Sequence, residues 1–282
     1  MKTFKRPRHL ERVGLYFAVG IVLVAMLFPF YWMVVASLKP FAEFMNFKSA
    51  PLWVAHPTLE NYQTLLTTTP YLQWFSNSVF VTVTTTIISL TLSVLAGYAV
   101  AMFRFRGADL ITTLILVSYL VPRTMLFIPM TQIVNGLGLS DSLWAMVITY
   151  PTFLVPFGTW LLAGFFRALP PDLEECARID GGNRFQAMIH IMLPLALPGI
   201  ISAGIFDFTL AWAEFLYGSA FVSSDMLRTL PAGVIVGLVR GDVFNWGPLM
   251  AAALLGSVPV ALVYSLFVNQ YVSGLTAGAV KG

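Results

Sequence analysis

The chain has 282 residues, of which 58% are hydrophobic and 10% charged, and its formal net charge is +3. Soluble domains carry roughly 25% charged residues, so this composition excludes an ordinary soluble domain and indicates a membrane protein. The single cysteine, Cys176, excludes an internal disulfide and a cysteine-built metal site, and the three histidines (His9, His56 and His190) are too scattered for a zinc cluster.

Six stretches are long and apolar enough to cross a bilayer, which takes about 20 residues. The first uncharged run, Val13–Leu38, has 26 residues, which is longer than the core of a cleaved signal peptide and predicts a retained span. The alternation typical of barrel strands is absent, so we expect an all-α, polytopic membrane protein with six transmembrane helices. The predicted spans cover residues 13–36, 76–102, 110–134, 143–166, 194–218 and 246–270.

The positions of lysine and arginine predict the orientation of these spans. With the N-terminus in the cytoplasm, the inner segments hold eleven of them, whereas the longer outer loops hold four. Cytoplasmic loops carry an excess of these residues, so both termini are predicted to be cytoplasmic. We expect a single membrane domain over residues 1–282, because no linker or low-complexity segment interrupts the chain.

Two outer loops, about 37–75 and 219–245, are long enough to have structure of their own. The first contains the short amphipathic candidate "TLENYQTLL". In the second, the apolar piece Leu230–Leu238 is too short to span and predicts an interfacial or packed helix.

The end of the second outer loop mixes charged and aromatic residues. Arg240 and Asp242 come shortly before Phe244 and Trp246, and this combination of charged and aromatic residues suits a binding interface. A belt of interfacial tryptophan explains the same residues equally well.

The inner stretch "EECARIDGGNRFQAMIHIMLP", which ends at Pro194, is the most polar run between two spans. After Pro170 and Pro171, the carboxylates of Asp172, Glu174 and Glu175 suit the first turn of a short helix, where they favour the helix dipole. Gly181–Gly182 is expected to end this helix after Asp180.

A second helix is expected to follow the double glycine. Asn183 is the candidate N-cap. Four apolar residues at i, i+3, i+4 and i+7 are expected on one face, which leads into the fifth span. These are Phe185, Met188, Ile189 and Met192.

This loop resembles the signature loop of importer-type ABC permeases, in the version of the carbohydrate importers. The residues on the pattern E-A-A, three residues, G, nine residues, I-x-L-P are Glu175, Ala177, Gly181, Ile191, Leu193 and Pro194. Cys176 and Gly182 stand where the family usually has alanine. Four further short motifs are similar to motifs that maltose-type permeases carry in the same order. These are "SLKP" at 37–40, "TLENY" at 58–62, "NSV" at 77–79 and "GLTAGAVKG" at 274–282. An ordinary cytoplasmic loop is the alternative that local physics alone leaves open.

The resemblance implies a bacterial inner-membrane permease for a sugar, an oligosaccharide or related polyhydroxy solute, with a coupling helix in residues 170–194 that docks on an ATPase. The implied coupling residues are Glu174, Glu175, Ala177, Asp180, Gly181 and Pro194. It also implies a second permease chain, two ATPase subunits and a solute-binding protein that the loop of Arg240, Asp242, Phe244 and Trp246 would contact. It implies no nucleic-acid partner. Because the chain lacks a G-x-x-x-x-G-K-[ST] loop, ATP and magnesium are expected on the ATPase subunits rather than here.

Charged residues inside the spans are candidates for the translocation path. Arg123 and Asp207 each lie about 13 residues into their spans, roughly 20 Å up at 1.5 Å per residue, and we expect them to meet, directly or through water. Glu214 is expected on the same helical face as Asp207, with Trp212 and Tyr217 as sugar contacts.

Two alternative roles for these charged residues stay open. The pair of Arg123 and Asp207 could only fix helix packing. A self-contained secondary transporter could use Asp207 and Glu214 as ion sites. An enzyme is disfavoured, because no His/Asp/Glu cluster or Ser/His pair gathers on a common face.

Overall fold

The computed structural model describes residues 9–45, 52–103, 105–170, 172–240 and 243–279. Of the predicted site residues, Asp242 lies outside these ranges, as do the side chains of Arg240 and Phe244. Apart from one short antiparallel strand pair, the regular structure of the described chain is helical. The α-helices are α1 (His9–Leu38), α2 (Phe41–Met45), α3 (Glu60–Thr68), α4 (Tyr71–Met102), α5 (Ala108–Tyr119), α6 (Arg123–Gly136), α7 (Leu143–Thr149), α8 (Pro151–Ala168), α9 (Asp172–Ile179), α10 (Arg184–Ala187), α11 (Leu193–Trp212), α12 (Leu216–Phe221), α13 (Leu230–Leu238) and α14 (Trp246–Ala279). The strands are β1 (Val239–Arg240) and β2 (Val243–Phe244), with a 3₁₀ turn at Asp225–Leu227 and a π-helical turn at Met188–Met192.

The predicted all-α membrane architecture is confirmed. Among the described residues, five helical stretches are long and apolar enough to cross a membrane, and a bent pair of helices makes up to six. The five are Arg12–Leu38, Tyr71–Met102, Leu143–Ala168, Arg184–Trp212 and Trp246–Val268.

The third predicted span, residues 110–134, is not one straight helix. α5 and α6 meet at an angle of 91°. Pro122 lies at the break, directly before α6. Proline cannot donate a backbone hydrogen bond and disfavours helical geometry in the residue before it, which accounts for the bend.

The fifth span also differs from its prediction. The sequence predicts it over residues 194–218, whereas the continuous helical stretch begins ten residues earlier, at Arg184, and ends at Trp212. Ala213 follows as the C-cap of α11, and α12 starts separately at Leu216. Glu214 therefore lies beyond the end of the helix that carries Asp207.

The chain divides into two compact units. One contains the described residues up to Thr69 together with Gly237–Ser257, and the other contains Pro70–Val236 together with the described residues from Val258. In the first unit, the segments "SLKP" and "TLENY" are joined by hydrogen bonds. Asn61 Nδ2 donates to the backbone oxygens of Ser37 and Lys39, both at 2.9 Å, and the Tyr62 hydroxyl donates to Ser37 Oγ at 2.9 Å.

In the second unit, small residues bring α4 and α8 close together. An added Cβ at Gly97 would lie 3.1 Å from both Ala163 N and Leu162 Cβ, and one at Gly158 would lie 2.5 Å from Ser93 Oγ. Small residues at such crossings let two membrane helices pack backbone to backbone. α11 packs against this pair and completes the core.

The outer end of α4 holds the segment before α13. Trp74 Nε1 donates to the Asp225 carbonyl at 2.7 Å, and Asn77 Nδ2 donates to the carbonyls of Met226 at 2.8 Å and Arg228 at 2.9 Å. The expectation of a short, packed helix at Leu230–Leu238 is confirmed. An added Cβ at Gly233 would overlap the Trp74 indole, so α13 rests directly on that ring.

Candidate functional site

The inner loop has the predicted helix, glycine turn and second helix. α9 carries Asp172, Glu174 and Glu175 in its first turn. Gly181 has a φ of +90°, and an added Cβ at Gly182 would lie 2.8 Å from the Ala177 carbonyl oxygen. Two glycines in a row are therefore needed, the first for left-handed backbone and the second for close approach.

Asn183 caps the second helix as expected. Its Oδ1 accepts from Gln186 N at 2.9 Å, and Gln186 Oε1 accepts from Asn183 N at 2.8 Å, which completes a capping box. The helix then widens into the π-helical turn, and Pro194 follows within the first two residues of α11. The wider turn lies where the missing N–H of proline interrupts the regular hydrogen-bond ladder.

The predicted apolar face of this second helix is only half right. Met188 and Met192 are buried against the core of α4 and α8, whereas Phe185 and Ile189 are exposed. The buried side is centred on Ala187, Met188 and Met192, because tertiary packing, not periodicity alone, selects which flank is covered. Phe185, 61% exposed, is thus available to a partner subunit.

Glu174 faces the interior of the chain, unlike its neighbours on α9. It is 7% exposed, and its Oε1 lies 3.5 Å from Nε of Arg184. The Arg184 guanidinium in turn lies 5.1 Å from the centre of the Phe103 ring, at the inner end of α4. This pair joins both helices of the inner loop to a transmembrane helix.

The outward side of α9 mixes apolar and charged groups. Ile179 is 84% exposed, and Glu175, Cys176, Arg178 and Asp180 are exposed as well or half-exposed. Leu173 is less exposed than Ile179, and Ala177, an implied coupling residue, is partly buried next to the glycine turn. A cavity of about 420 Å³ lies between α9, Arg184 and the inner end of α4. Its lining residues are Met102, Phe103, Phe105, Glu174, Glu175, Arg178 and Arg184.

Arg123 lies at the first position of α6, directly after the bend. Its guanidinium carbon lies 4.8 Å from the centre of the Phe153 ring, a distance typical of a cation–π contact. Its backbone oxygen accepts a hydrogen bond from the Tyr217 hydroxyl at 2.9 Å.

The expected direct pair of Arg123 with Asp207 is not formed. Neither carboxyl oxygen of Asp207 has a hydrogen-bond partner among the described residues, and the side chain is 0% exposed. The bend at Pro122 turns α6 by 91° from α5, so Arg123 starts a new helix instead of lying on the face that a straight span predicts. Asp207 instead lies enclosed in the packed part of α11.

The predicted placement of Glu214 on the face of Asp207 is wrong as well, because α11 ends between them. The buried Glu214 carboxylate accepts from the Tyr150 hydroxyl at 2.7 Å, from Tyr217 N at 2.9 Å and from Gly218 N at 3.0 Å. These bonds cap α12 and tie it to the start of α8. No local pattern pointed to Tyr150, since the contact spans 64 residues.

The two aromatic candidates for sugar contact are buried within this chain. Tyr217 is stacked on Phe221, and Trp212 is stacked on Phe208 with an edge contact to Phe75. Their contribution to a sugar site stays a prediction.

On the outer loop, β1 and β2 form a hairpin that pairs Val239 with Phe244 and Arg240 with Val243. Trp246 begins α14 and is half-exposed beside a cavity of about 170 Å³. The other lining residues, which sequence reasoning did not single out, are Phe41, Phe44, Glu60, Asn61, Thr64, Asn245, Gly247 and Pro248. A contact of this loop with a binding protein stays a prediction.

The chain matches a known family and several named relatives. The profile of the family described as "Binding-protein-dependent transport system inner membrane component" matches residues 89–276. The sulfoquinovosyl glycerol transport system permease protein SmoH of Agrobacterium fabrum is 38% identical over 269 residues, which cover 95% of this chain and 93% of that one. The trehalose/maltose transport system permease protein MalG of Thermococcus litoralis is 34% identical over 280 residues, 98% of this chain and 99% of that one.

A solved structure has the same fold. It is a crystal structure of a bacterial ABC transporter involved in the import of the acidic polysaccharide alginate. Its matched chain superposes with a TM-score of 0.80 at 21% identity, over 95% of this chain and 99% of that one.

Proposed function

This chain belongs to the family of binding-protein-dependent transport system inner membrane components, and from that premise we propose that it is the subunit through which a sugar enters the cell. The family assigns the chain to the inner membrane as a multi-pass transport subunit, with ATP hydrolysis on separate polypeptides. The observation that carries the proposal is the family match together with full-length relatives that are named for the transport of glycosides. These names support the class of substrate, not one compound.

We propose that the inner loop is the site where the ATPase subunit drives this chain. The outward side of α9 offers exposed Ile179 beside Glu175 and Arg178, a small apolar contact with a charged rim, as protein interfaces have. Glu174 and Arg184 join the loop to the inner end of α4. Closure of two ATPase subunits would then move the spans as rigid bodies.

ATP and magnesium would bind the ATPase subunits. This chain would contribute spans that line the translocation path, the outer loop that faces the binding protein, and the helix α9 that contacts the ATPase. A second permease chain would complete the path, and a solute-binding protein would deliver the sugar to the outer face.

Purification from native membranes tests this proposal. A tagged chain should co-purify with a second permease and an ATPase, and the complex in liposomes should take up a labelled sugar only with ATP inside and its binding protein outside. A chain that transports alone, driven by an ion gradient, would contradict the proposal and favour a secondary transporter.

A further inference from the structure

Among the residues that the structure describes, Arg123 is a cation without a counterion in the membrane-spanning part of the chain. Its guanidinium lies over the Phe153 ring, and a guanidinium carries five N–H donors. No described residue accepts a hydrogen bond from these donors or forms an ion pair with them. The residue is only partly buried, which leaves part of it open to a group from outside this chain.

The depth of Arg123 makes its lack of a partner costly. α5 has 12 residues and spans about 18 Å at 1.5 Å per residue, so the bend lies beyond the middle of a core about 30 Å thick. Charges near that depth are strongly disfavoured in lipid. Such residues face water-filled cavities or paired groups rather than lipid, and broken helices mark binding sites in transporters.

The surrounding contacts fix the position of Arg123 and leave the N–H donors of its guanidinium without an acceptor among the described residues. Its backbone is held by the Tyr217 hydroxyl, and the Phe153 ring supports the flat side of the guanidinium. The carboxylate of Glu214 is occupied by three other donors and forms no ion pair with Arg123. The described chain therefore presents a pre-positioned guanidinium whose edge is unused.

We infer that Arg123 recognises an anionic group on the transported sugar, a carboxylate, sulfate or sulfonate, as it passes the bend between α5 and α6. The planar fork of a guanidinium matches two oxygens of such a group at once, and this bidentate contact is stronger than one to a neutral hydroxyl. The inference rests on the proposed function and narrows its substrate class from sugars to acidic sugars.

Transport by the whole complex with its binding protein tests the inference. Disaccharides would be offered in pairs, each neutral sugar with its uronic acid or sulfated counterpart, for example cellobiose with cellobiouronate. We expect uptake of the acidic member to exceed that of the neutral member at least about tenfold, which corresponds to about 1.4 kcal/mol. Arg123→Gln should abolish this difference and Arg123→Lys should keep part of it. Arg12→Gln, the same charge loss at an exposed inner position, should leave it unchanged.

The outcomes separate the two proposals. A complex that carries neutral sugars equally well, or that keeps its preference in Arg123→Gln, overturns the inference but leaves sugar import intact. The proposed function fails by a different result, transport by the chain alone that is driven by an ion gradient.

Chemical labelling adds a readout that does not depend on the uptake of Arg123 variants. Cys176 is the single cysteine of the chain, so Arg123→Cys in a Cys176→Ala background places one thiol at the bend. A charged, membrane-impermeant thiosulfonate should label it during turnover, and the acidic sugar should slow labelling. A thiol that the reagent never reaches would show that position 123 faces lipid or protein, which overturns the inference.

Discussion

The Glu174 carboxylate lies 3.5 Å from Nε of Arg184 and joins α9 to α10 across the double-glycine turn. Glu175, the next residue, points outward and forms no ion pair with the described residues. Two adjacent carboxylates on one short helix thus have different tasks, one inside the chain and one on its surface.

The first prediction separates these two carboxylates. Glu174→Gln should weaken the hold of the loop on α4, so that more ATP is hydrolysed per sugar imported. Because Arg184 is half-exposed, we expect a coupling energy of only about 1 kcal/mol in a double-mutant cycle with Arg184→Gln. The same cycle with Glu175→Gln is the control and should give none. Equal coupling energies in the two cycles would contradict the assignment of Glu174, and not Glu175, as the partner of Arg184.

The second prediction concerns the left-handed residue of the turn. Gly181→Ala adds no steric contact, since nothing lies within 4 Å of its added Cβ, but its φ is +90°. This conformation costs a residue with a Cβ roughly 1–2 kcal/mol. We expect a lower unfolding temperature of the complex and weaker co-purification of the ATPase.

Gly164→Ala provides the matched control for that substitution. Its added Cβ also meets nothing within 4 Å, but its backbone is helical within α8. It should be neutral or slightly stabilising, because alanine is the better helix former. Equal losses in both variants would point to a cause other than backbone conformation.

The third prediction concerns Tyr150 and Glu214. Tyr150→Phe keeps the ring but removes the 2.7 Å hydrogen bond to a buried carboxylate, and such bonds to charged groups are worth about 1.5–3 kcal/mol. Tyr31→Phe removes a 2.6 Å bond to the neutral, exposed carbonyl of Leu52 and should cost less, about 0.5–1.5 kcal/mol. The unfolding temperatures of the two variants measure how much stability each substitution removes. A larger loss for Tyr31→Phe would mean that Glu214 is not a stabilising centre.

Local chemistry predicted the parts of the fold that depend on neighbouring residues. The caps and breaks around Gly181 and Asn183 follow from backbone φ and side-chain reach over three residues, and the span count follows from hydropathy. The sequence identifies "SLKP" and "TLENY" only as two separate motifs, although Asn61 donates hydrogen bonds to the backbone of Ser37 and Lys39. Nothing in their spacing reveals that contact.

Long-range placement was beyond sequence reasoning for a different reason. The predicted pairing of Arg123 with Asp207 and the predicted face of Glu214 assume straight helices, and a break at Pro122 and an end at Trp212 change both. A proline signals a bend but not its angle, which depends on the packing of α5 against α8 and of α12 against α6.

Asp141, between α6 and α7, links two outer loops. It has a φ of +57°, and its carboxylate accepts hydrogen bonds from the backbone N–H groups of Ser223 and Ser224, both at 2.9 Å, and from the Ser224 hydroxyl. The Ser224 hydroxyl and backbone bonds are the main reasons that the pKa of Asp141 lies below its usual range. The charged form is therefore the one that the folded chain favours.

The last prediction follows from the sign of that shift. A carboxyl whose pKa is lower in the folded state stabilises it fully at pH values above the unfolded pKa, about 3.9, and loses this contribution as the pH falls through the folded pKa. Asp141→Asn removes the charge, and asparagine also tolerates the left-handed backbone. Its unfolding temperature should therefore lie below that of the unchanged chain at about pH 7, and the gap should close below about pH 4, towards the lowered pKa. A gap that stays constant across this range would show that the loop contact does not depend on the charge of Asp141.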